Sequence, residues 1–158
     1  MNTYIQIKAD LTSKEEYEMS NLKVDMDKDY FAEYIFADTK LDLDNEEIPQ
    51  EILNTKVNGM KGDLEHARLN KLEGFDKSDL FEVIDSFYQG DKLFGKVKFN
   101  KQHAQFKPVW YLNTKGKFGI SPEYKRLKST QKYVDLVGVT GTINPRNPRS
   151  KVINAFAI

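Results

Sequence analysis

Residues 80–88 read LFEVIDSFY, residues 92–99 read KLFGKVKF, and Gln89-Gly90-Asp91 separates the two runs. Both runs are rich in aromatic and β-branched residues, which is typical of strands. The glycine-containing separator is a turn signal, because glycine adopts the positive φ angles that tight hairpin turns need. The stretch therefore predicts a β-hairpin and a fold based on a sheet.

Further strand signals flank this hairpin along the chain. Predicted strands cover residues 3–9, 31–38, 108–113, 117–124 and 132–142. Pro49, at a first helical position after a cluster of acids, predicts a short helix over about residues 48–55. We expect one α+β domain spanning residues 1–158. It is β-rich, with a closed or barrel-like, mostly antiparallel sheet and a few short helices. The abrupt apolar end after the turn-rich residues 144–149 is what we expect of a truncated or processed form.

Composition and charge exclude several classes of protein. The chain has no cysteine and only two histidines, which excludes disulfides, thiolate metal sites and a multi-histidine metal site. The acidic residues 42–47 lack the spacing of a calcium-binding EF-hand loop, so we expect no metal and no cofactor. No apolar run is long enough to span a membrane.

The charge is balanced overall but unevenly distributed. Residues 1–91 contain 22 acidic and 10 basic side chains, whereas residues 92–158 contain 2 acidic and 14 basic ones. The simple interpretation is that the two halves of one domain attract each other. The alternative is a basic surface that faces an acidic partner. Because the basic residues are dispersed and no nucleic-acid-binding motif accompanies them, we do not expect nucleic acid to be the partner.

Two residues are candidates for nucleophilic catalysis. In KFGISPEY, residues 117–124, Pro122 follows Ser121 directly and removes a ladder N–H, so Ser121 is expected where strand pairing lapses. In GMKGDLEHAR, residues 59–68, His66 ends a short extended run. A serine hydroxyl becomes a useful nucleophile only when a neighbouring base accepts its proton. Taken separately, each residue is more commonly structural, and spacing alone does not bring the two together.

Five segments, in chain order, resemble the prohead maturation proteases of tailed bacteriophages, a group related in fold to herpesvirus assemblin. They are YIFADTKLDLDNEEIPQEIL, GMKGDLEHARLN, DKLFGKVKFN, KFGISPEY and LVGVTGTINPRNP. Together these segments extend over residues 31–152. The second is similar to the strand that ends in the family's catalytic histidine, and the fourth is similar to its serine strand. The resemblance implies that Ser121 is the nucleophile and His66 its general base.

The resemblance also implies a third residue that orients the histidine, on the strand after the serine. If residues 117–124 and 132–140 form a hairpin around residue 128, Ser121 lies opposite about residue 136. Asp135 is then the nearest ionisable group, and it is our predicted third catalytic residue. His103 and Asp85 are the alternatives.

Two further residues are candidates for roles at the predicted site. In the fold that the resemblance implies, an arginine-bearing loop supplies the oxyanion-hole donors, which makes Arg146 the candidate here. Glu123 shares a strand face with Ser121, so it is a candidate to tune the site or to bind a basic substrate side chain. The simpler expectation is that Glu123 is structural or faces solvent.

The function that the resemblance implies is a serine endopeptidase of phage head assembly. Such an enzyme cleaves the scaffold protein and the major capsid protein inside the assembling prohead, in the host cytoplasm, through an acyl-enzyme, and then degrades itself. Homodimers, or activation on assembly, are implied as well. The alternative is a catalytically inactive, β-rich structural or scaffold-binding protein of the virion. A third, weaker alternative is a small β-domain that binds nucleic acid through its basic strands.

Overall fold

The computed structural model describes residues 11–40, 57–71, 73–74, 76–127 and 132–158. These residues form two helices and seven strands. In chain order they are α1 (Ser13–Ser20), β1 (Tyr30–Asp38), β2 (Lys61–Leu64), β3 (Phe81–Gln89), β4 (Lys92–Phe99), α2 (Phe106–Thr114), β5 (Gly119–Leu127), β6 (Lys132–Thr142) and β7 (Val152–Ala157). The predicted strand at residues 3–9 and the predicted helix at 48–55 lie outside the described residues.

The strands form one mixed sheet in the order β5-β6-β2-β3-β4-β1-β7. Within the described part of the chain, β2 and β6 pair in parallel and the other neighbours pair antiparallel. The sheet curls into a half-barrel. An isolated bridge joins Gly119, at the start of β5, to Lys151, just before β7. The prediction of a β-rich α+β fold is therefore confirmed.

The hairpin predicted from residues 80–99 is present as β3 and β4. Its antiparallel register runs from Phe81 opposite Phe99 to Gln89 opposite Lys92, with an irregularity between Val83 and Asp85. Gly90 lies in the turn with a φ of 63°, the left-handed conformation that glycine adopts without steric cost. The predicted strands at 31–38, 117–124 and 132–142 are confirmed as β1, β5 and β6.

The predicted strand at residues 108–113 is wrong, because this segment lies within α2. Seven of the nine residues of α2 are buried, so the helix lacks the polar face that marks a surface helix. A short run that is apolar on all sides has no periodicity to distinguish a buried helix from a buried strand. Pro108 falls in the first turn of α2, where a missing N–H breaks no intrahelical hydrogen bond.

Helix α1, which the strand-dominated prediction did not include, has a local sequence signal. Thr12 is its N-cap and accepts a hydrogen bond from the Glu15 backbone N–H at 3.2 Å, while the Glu15 carboxylate accepts one from the Thr12 backbone N–H at 3.3 Å. This reciprocal pair is a capping box, which satisfies two donors at the helix start. Neither helix of the described residues is long and apolar enough to cross a membrane.

The core lies between the concave face of the sheet and α2. Tyr30, Phe99, Phe106 and Trp110 meet there in edge-to-face contacts, with ring centroids 4.8–6.4 Å apart. At the other end of α2, the Tyr34 hydroxyl hydrogen-bonds the buried Asn113 side chain, whose Nδ2 donates to the Val109 carbonyl at 2.9 Å. The buried polar groups of α2 are thus hydrogen-bonded, and the helix packs against β1.

Candidate active site

Strand β5 is an edge strand whose outer side becomes free at Ser121. The Ile120 N–H donates to the Ser150 carbonyl at 3.0 Å, so it points away from β6. Alternate residues of a strand point their N–H groups to the same side, so the nitrogen of Pro122 faces this outer edge too. Proline has no N–H to donate there, and the pairing with residues 150–152 stops. This agrees with the expectation that pairing lapses beside Ser121.

Strand β6 lies between β5 and β2 and pairs with both. Thr140 of β6 pairs with Ser121 on one side and with Asp63 of β2 on the other. The Thr140 hydroxyl donates to the buried Asp63 carboxylate at 2.5 Å and accepts a hydrogen bond from the His66 backbone N–H at 3.0 Å. The buried side chains of Thr140 and Asp63 therefore hold the backbone of His66 against β6, the strand that pairs with Ser121.

His66 lies in a tight left-handed turn directly after β2. Glu65 and His66 have φ angles of 55° and 52°, a conformation that costs a non-glycine residue about 1–2 kcal/mol. The Glu65 N–H donates to the Gly141 carbonyl at 2.8 Å, which helps to hold the turn against β6. Backbone strain of this kind is concentrated at functional sites, because it fixes a side chain in one direction.

Glu123 binds the imidazole of His66. The Nδ1 atom of His66 lies 2.9 Å from Oε2 of Glu123, and both side chains are partly buried. Glu123 is paired with Gly138 of β6, and a Cβ atom at Gly138 would lie 2.6 Å from Oε1 of Glu123. The carboxylate therefore crosses β6 over a glycine to reach His66. Glu123, for which a structural or solvent-facing position was the simpler expectation, is partly buried and contacts the predicted general base.

Ser121 and His66 line the same cleft. Its volume is about 500 Å³, and Ser121 is 4% exposed at its wall. Pro122, Glu123 and Arg146 line it as well. Its other lining residues include apolar and charged side chains: Lys61, Asp63, Arg68, Leu69, Asn70, Tyr124, Val137 and Val139. The cleft, with Ser121 in its wall, is thus large enough for a short segment of polypeptide.

Asp135, the predicted third catalytic residue, is not placed beside Ser121 by the strand register. Ser121 pairs with Thr140 rather than with a residue near 136, and Asp135 pairs with Lys125. One irregularity of the β5–β6 pairing, between Glu123 and Tyr124, lies between these two pairs. At about 3.3 Å per residue, Asp135 lies roughly 16 Å along β6 from Thr140. Glu123 takes the position beside His66 that was predicted for Asp135.

The two alternatives to Asp135 also lie away from this cleft. Asp85 is an exposed residue of β3 and lines a separate cleft of about 220 Å³ with Phe87 and Phe94. The side chain of His103 is buried, and its Nδ1 accepts a hydrogen bond from the Gln105 N–H at 3.0 Å. Burial lowers the pKa of His103, although the carboxylate of Asp76 acts to raise it.

The loop after β6 brings Arg146, the predicted oxyanion-hole residue, to the wall of the cleft. Arg149 of the same loop forms a bidentate pair with the buried Asp38 carboxylate, at 2.7 and 2.9 Å. Burial raises the pKa of Asp38, but hydrogen bonds from Arg149 and Asn147 outweigh burial and leave the pKa below its ordinary value. This pair anchors the loop to the end of β1.

An imidazole held by a carboxylate is an arrangement that can accept and return a proton. A carboxylate on Nδ1 holds the proton there and leaves Nε2 of His66 as the basic nitrogen. Among the residues that the structure describes, no three His, Cys, Asp or Glu side chains are grouped so that they would hold a metal ion.

Comparison with known protein-family models and with curated protein sequences finds no match for this chain.

Sequence reasoning missed Glu123 as the partner of His66, although two signals point to it. Ser121 and Glu123 are two positions apart in a strand, so their side chains leave the same face. Gly138 interrupts the apolar run of β6, and a glycine inside a strand often marks a close approach by another group. The register that places Gly138 opposite Glu123 appears only in the folded sheet.

Proposed function

We propose that this protein is a serine endopeptidase in which Ser121 is the nucleophile, His66 the general base and Glu123 the residue that orients His66. The observation that carries the proposal is the 2.9 Å contact between the His66 imidazole and Glu123, in the cleft that Ser121 also lines. The ordered motifs KFGISPEY and GMKGDLEHARLN support it independently. Glu123 replaces Asp135 in our assignment because of the β5–β6 register.

The proposed reaction proceeds in two half-reactions. The Ser121 oxygen attacks the carbonyl carbon of the scissile peptide, and its proton passes to Nε2 of His66. The C–N bond breaks as His66 returns that proton to the leaving amine, which leaves an ester on Ser121. Water then attacks the ester with His66 again as base, and the Ser121 oxygen recovers its proton as the acid product leaves. The carboxylate of Glu123 stabilises the imidazolium in both half-reactions.

The proposed setting is the assembling head of a tailed bacteriophage, with the scaffold protein and the major capsid protein as substrates. This part of the proposal is supported by the five motifs alone. The finer form of the fold, a closed barrel, is proposed with it. Hydrogen bonds from Ile120 to Ser150, at 3.0 Å, and from Val152 to Phe118, at 2.9 Å, support closure between β5 and the segment that leads into β7.

A fluorophosphonate probe tests the proposed nucleophile directly. We expect the probe to label the wild-type protein at Ser121, as located by peptide mass spectrometry, and not to label Ser121→Ala. Labelling should be abolished in His66→Ala. In Glu123→Gln it should be slower by about a hundredfold or more, because the imidazolium loses its carboxylate.

Asp135→Asn is the matched control, since it removes the acid that the sequence predicted. We expect it to be labelled like the wild type. Labelling that is lost in Asp135→Asn and retained in Glu123→Gln would contradict our assignment of the third residue. Undiminished cleavage of scaffold and capsid proteins by Ser121→Ala and His66→Ala would contradict the assignment of both residues. A wild-type protein that cleaves neither substrate would instead favour a structural protein without catalytic activity.

A further inference from the structure

Glu65, the residue before His66, uses its side chain to bind the turn that leaves β6. Its Oε1 accepts a hydrogen bond from the Ile143 backbone N–H at 2.9 Å, and its Oε2 accepts one from the Thr142 hydroxyl at 3.1 Å. Burial raises the pKa of Glu65, while these two hydrogen bonds and the neighbouring His66 act to lower it. The partly buried carboxylate thus lies between two segments of the chain and is bonded to one of them through both of its oxygens.

The two segments that Glu65 joins both belong to the cleft. On one side is the strained turn of Glu65 and His66, whose backbone is also bonded to Gly141 and Thr140. On the other side is the turn that begins the Arg146 loop. There the Thr142 hydroxyl, which donates to Glu65, accepts a hydrogen bond from the Asn144 N–H at 3.1 Å. A continuous set of hydrogen bonds therefore runs from the His66 turn into the loop.

We propose that Glu65 is a positioning residue for catalysis, which fixes the His66 turn and the Arg146 loop relative to each other through its two hydrogen bonds. This inference rests on the proposed function. Because Glu65 follows β2 in a left-handed conformation, its bonds to residues 142 and 143 oppose the relaxation of the turn. Without these two hydrogen bonds, the His66 turn and the Arg146 loop can shift relative to each other. The His66 imidazole and the backbone donors of the loop then lose their fixed relative position. Misplacement by about 1 Å is enough to slow catalysis on the order of a hundredfold.

The side-chain length and the charge of Glu65 are separable by substitution. In Glu65→Gln the amide oxygen still accepts from Ile143 and the amide nitrogen donates to the Thr142 oxygen, so both connections persist without the charge. In Glu65→Asp the charge persists, but the side chain is one methylene shorter and does not reach both partners. Glu73→Ala, the loss of an exposed acid in the segment after His66, is the matched control.

The experiment measures the rate of fluorophosphonate labelling of Ser121 and the hydrogen exchange of the Ile143 amide by NMR. We expect labelling to be slower by about tenfold or more in Glu65→Asp and Glu65→Ala, within about threefold of the wild type in Glu65→Gln, and unchanged in Glu73→Ala. Exchange of the Ile143 amide should accelerate in the two slow variants and remain slow in Glu65→Gln. If Glu65→Ala does not fold, the comparison of Glu65→Asp with Glu65→Gln still tests the inference.

Wild-type labelling rates in Glu65→Asp, or a Glu65→Gln variant as slow as Glu65→Ala, would overturn the inference. Unchanged exchange at Ile143 in Glu65→Asp would overturn it whatever the labelling shows. Failure of the proposed function gives a different result, because the wild-type protein itself would then not be labelled at Ser121. In that case the exchange of the Ile143 amide still reports whether Glu65 holds the two segments together.

Discussion

Gly138 is the residue on which the contact between Glu123 and His66 depends. A Cβ atom at this position would lie 2.6 Å from Oε1 of Glu123, which is far inside van der Waals contact. The obstructed atom is the end of a flexible side chain, so Glu123 can turn away at little cost to the fold. The glycine therefore matters for the site more than for stability.

At the residue scale we predict that Gly138→Ala slows labelling of Ser121 by about tenfold or more, because Glu123 loses its path to His66. The free energy of unfolding should change by less than about 1 kcal/mol, as measured by urea denaturation. Because Gly138 acts through Glu123, the double variant with Glu123→Gln should be no slower than Glu123→Gln alone. Multiplied effects in the double variant would show that Gly138 acts by another route.

At the scale of elements, β5 and β6 position the residues of the candidate site, and α2 packs against the sheet. The bulged pairing of β5 with β6 carries an irregularity between Glu123 and Tyr124, next to the cleft. Bulges of this kind redirect side chains and end regular pairing. Helix α2 packs beneath β1 with nearly all of its residues buried, so its contribution is to the stability of the half-barrel.

The prediction at this scale concerns Leu112, which is 1% exposed in α2. Leu112→Ala should lower the free energy of unfolding by about 2–5 kcal/mol, because it leaves a cavity in the core. Thr114→Ala, on the exposed end of the same helix, removes only the hydrogen bond from its hydroxyl to the Tyr111 carbonyl at 2.7 Å and should lower this free energy by no more than about 1 kcal/mol. Urea denaturation followed by circular dichroism measures both. Equal effects of the two substitutions would contradict the packing described for α2.

For the whole molecule, two carboxylates link stability to acid. Burial acts to raise the pKa of Asp76, but hydrogen bonds from Ser78 and Ala104 dominate and lower it to about 2. The pKa of Asp38 is also lowered, through its pair with Arg149. Because these pKa values are lower in the folded protein than in the unfolded chain, both groups stabilise the fold above an unfolded value of 3.8. That stabilisation is lost as the pH falls toward 2.

We therefore predict that the free energy of unfolding decreases between about pH 4 and pH 2, and that Asp76→Asn makes the pH dependence shallower. Thermal denaturation across this pH range measures the slope. Asp27→Asn, at an exposed position, is the control and should keep the slope of the wild type. An Asp76→Asn curve parallel to the wild type would contradict the role assigned to Asp76.

The sequence by itself determined most of the described sheet and the two residues first chosen for the site. The strand signals of residues 31–38, 80–99 and 132–142 are local, because they follow from strand-forming residues and turn chemistry within each segment. Pro122 likewise ends pairing through its own missing N–H. Ser121 and His66 line one cleft, as the motif resemblance required, whereas their proposed catalytic roles remain predictions.

Tertiary structure alone decided which acid faces His66 and which state residues 106–114 adopt. The Glu123 carboxylate reaches the His66 imidazole across β6 only in the register that pairs Gly138 with Glu123. That register depends on bulges in the β5–β6 pairing, which the alternation of residues within each strand does not encode. The apolar segment of α2 is compatible with either a strand or a helix until its neighbours enclose it. Both decisions depend on contacts between residues far apart in the chain, and these contacts exist only in the folded protein.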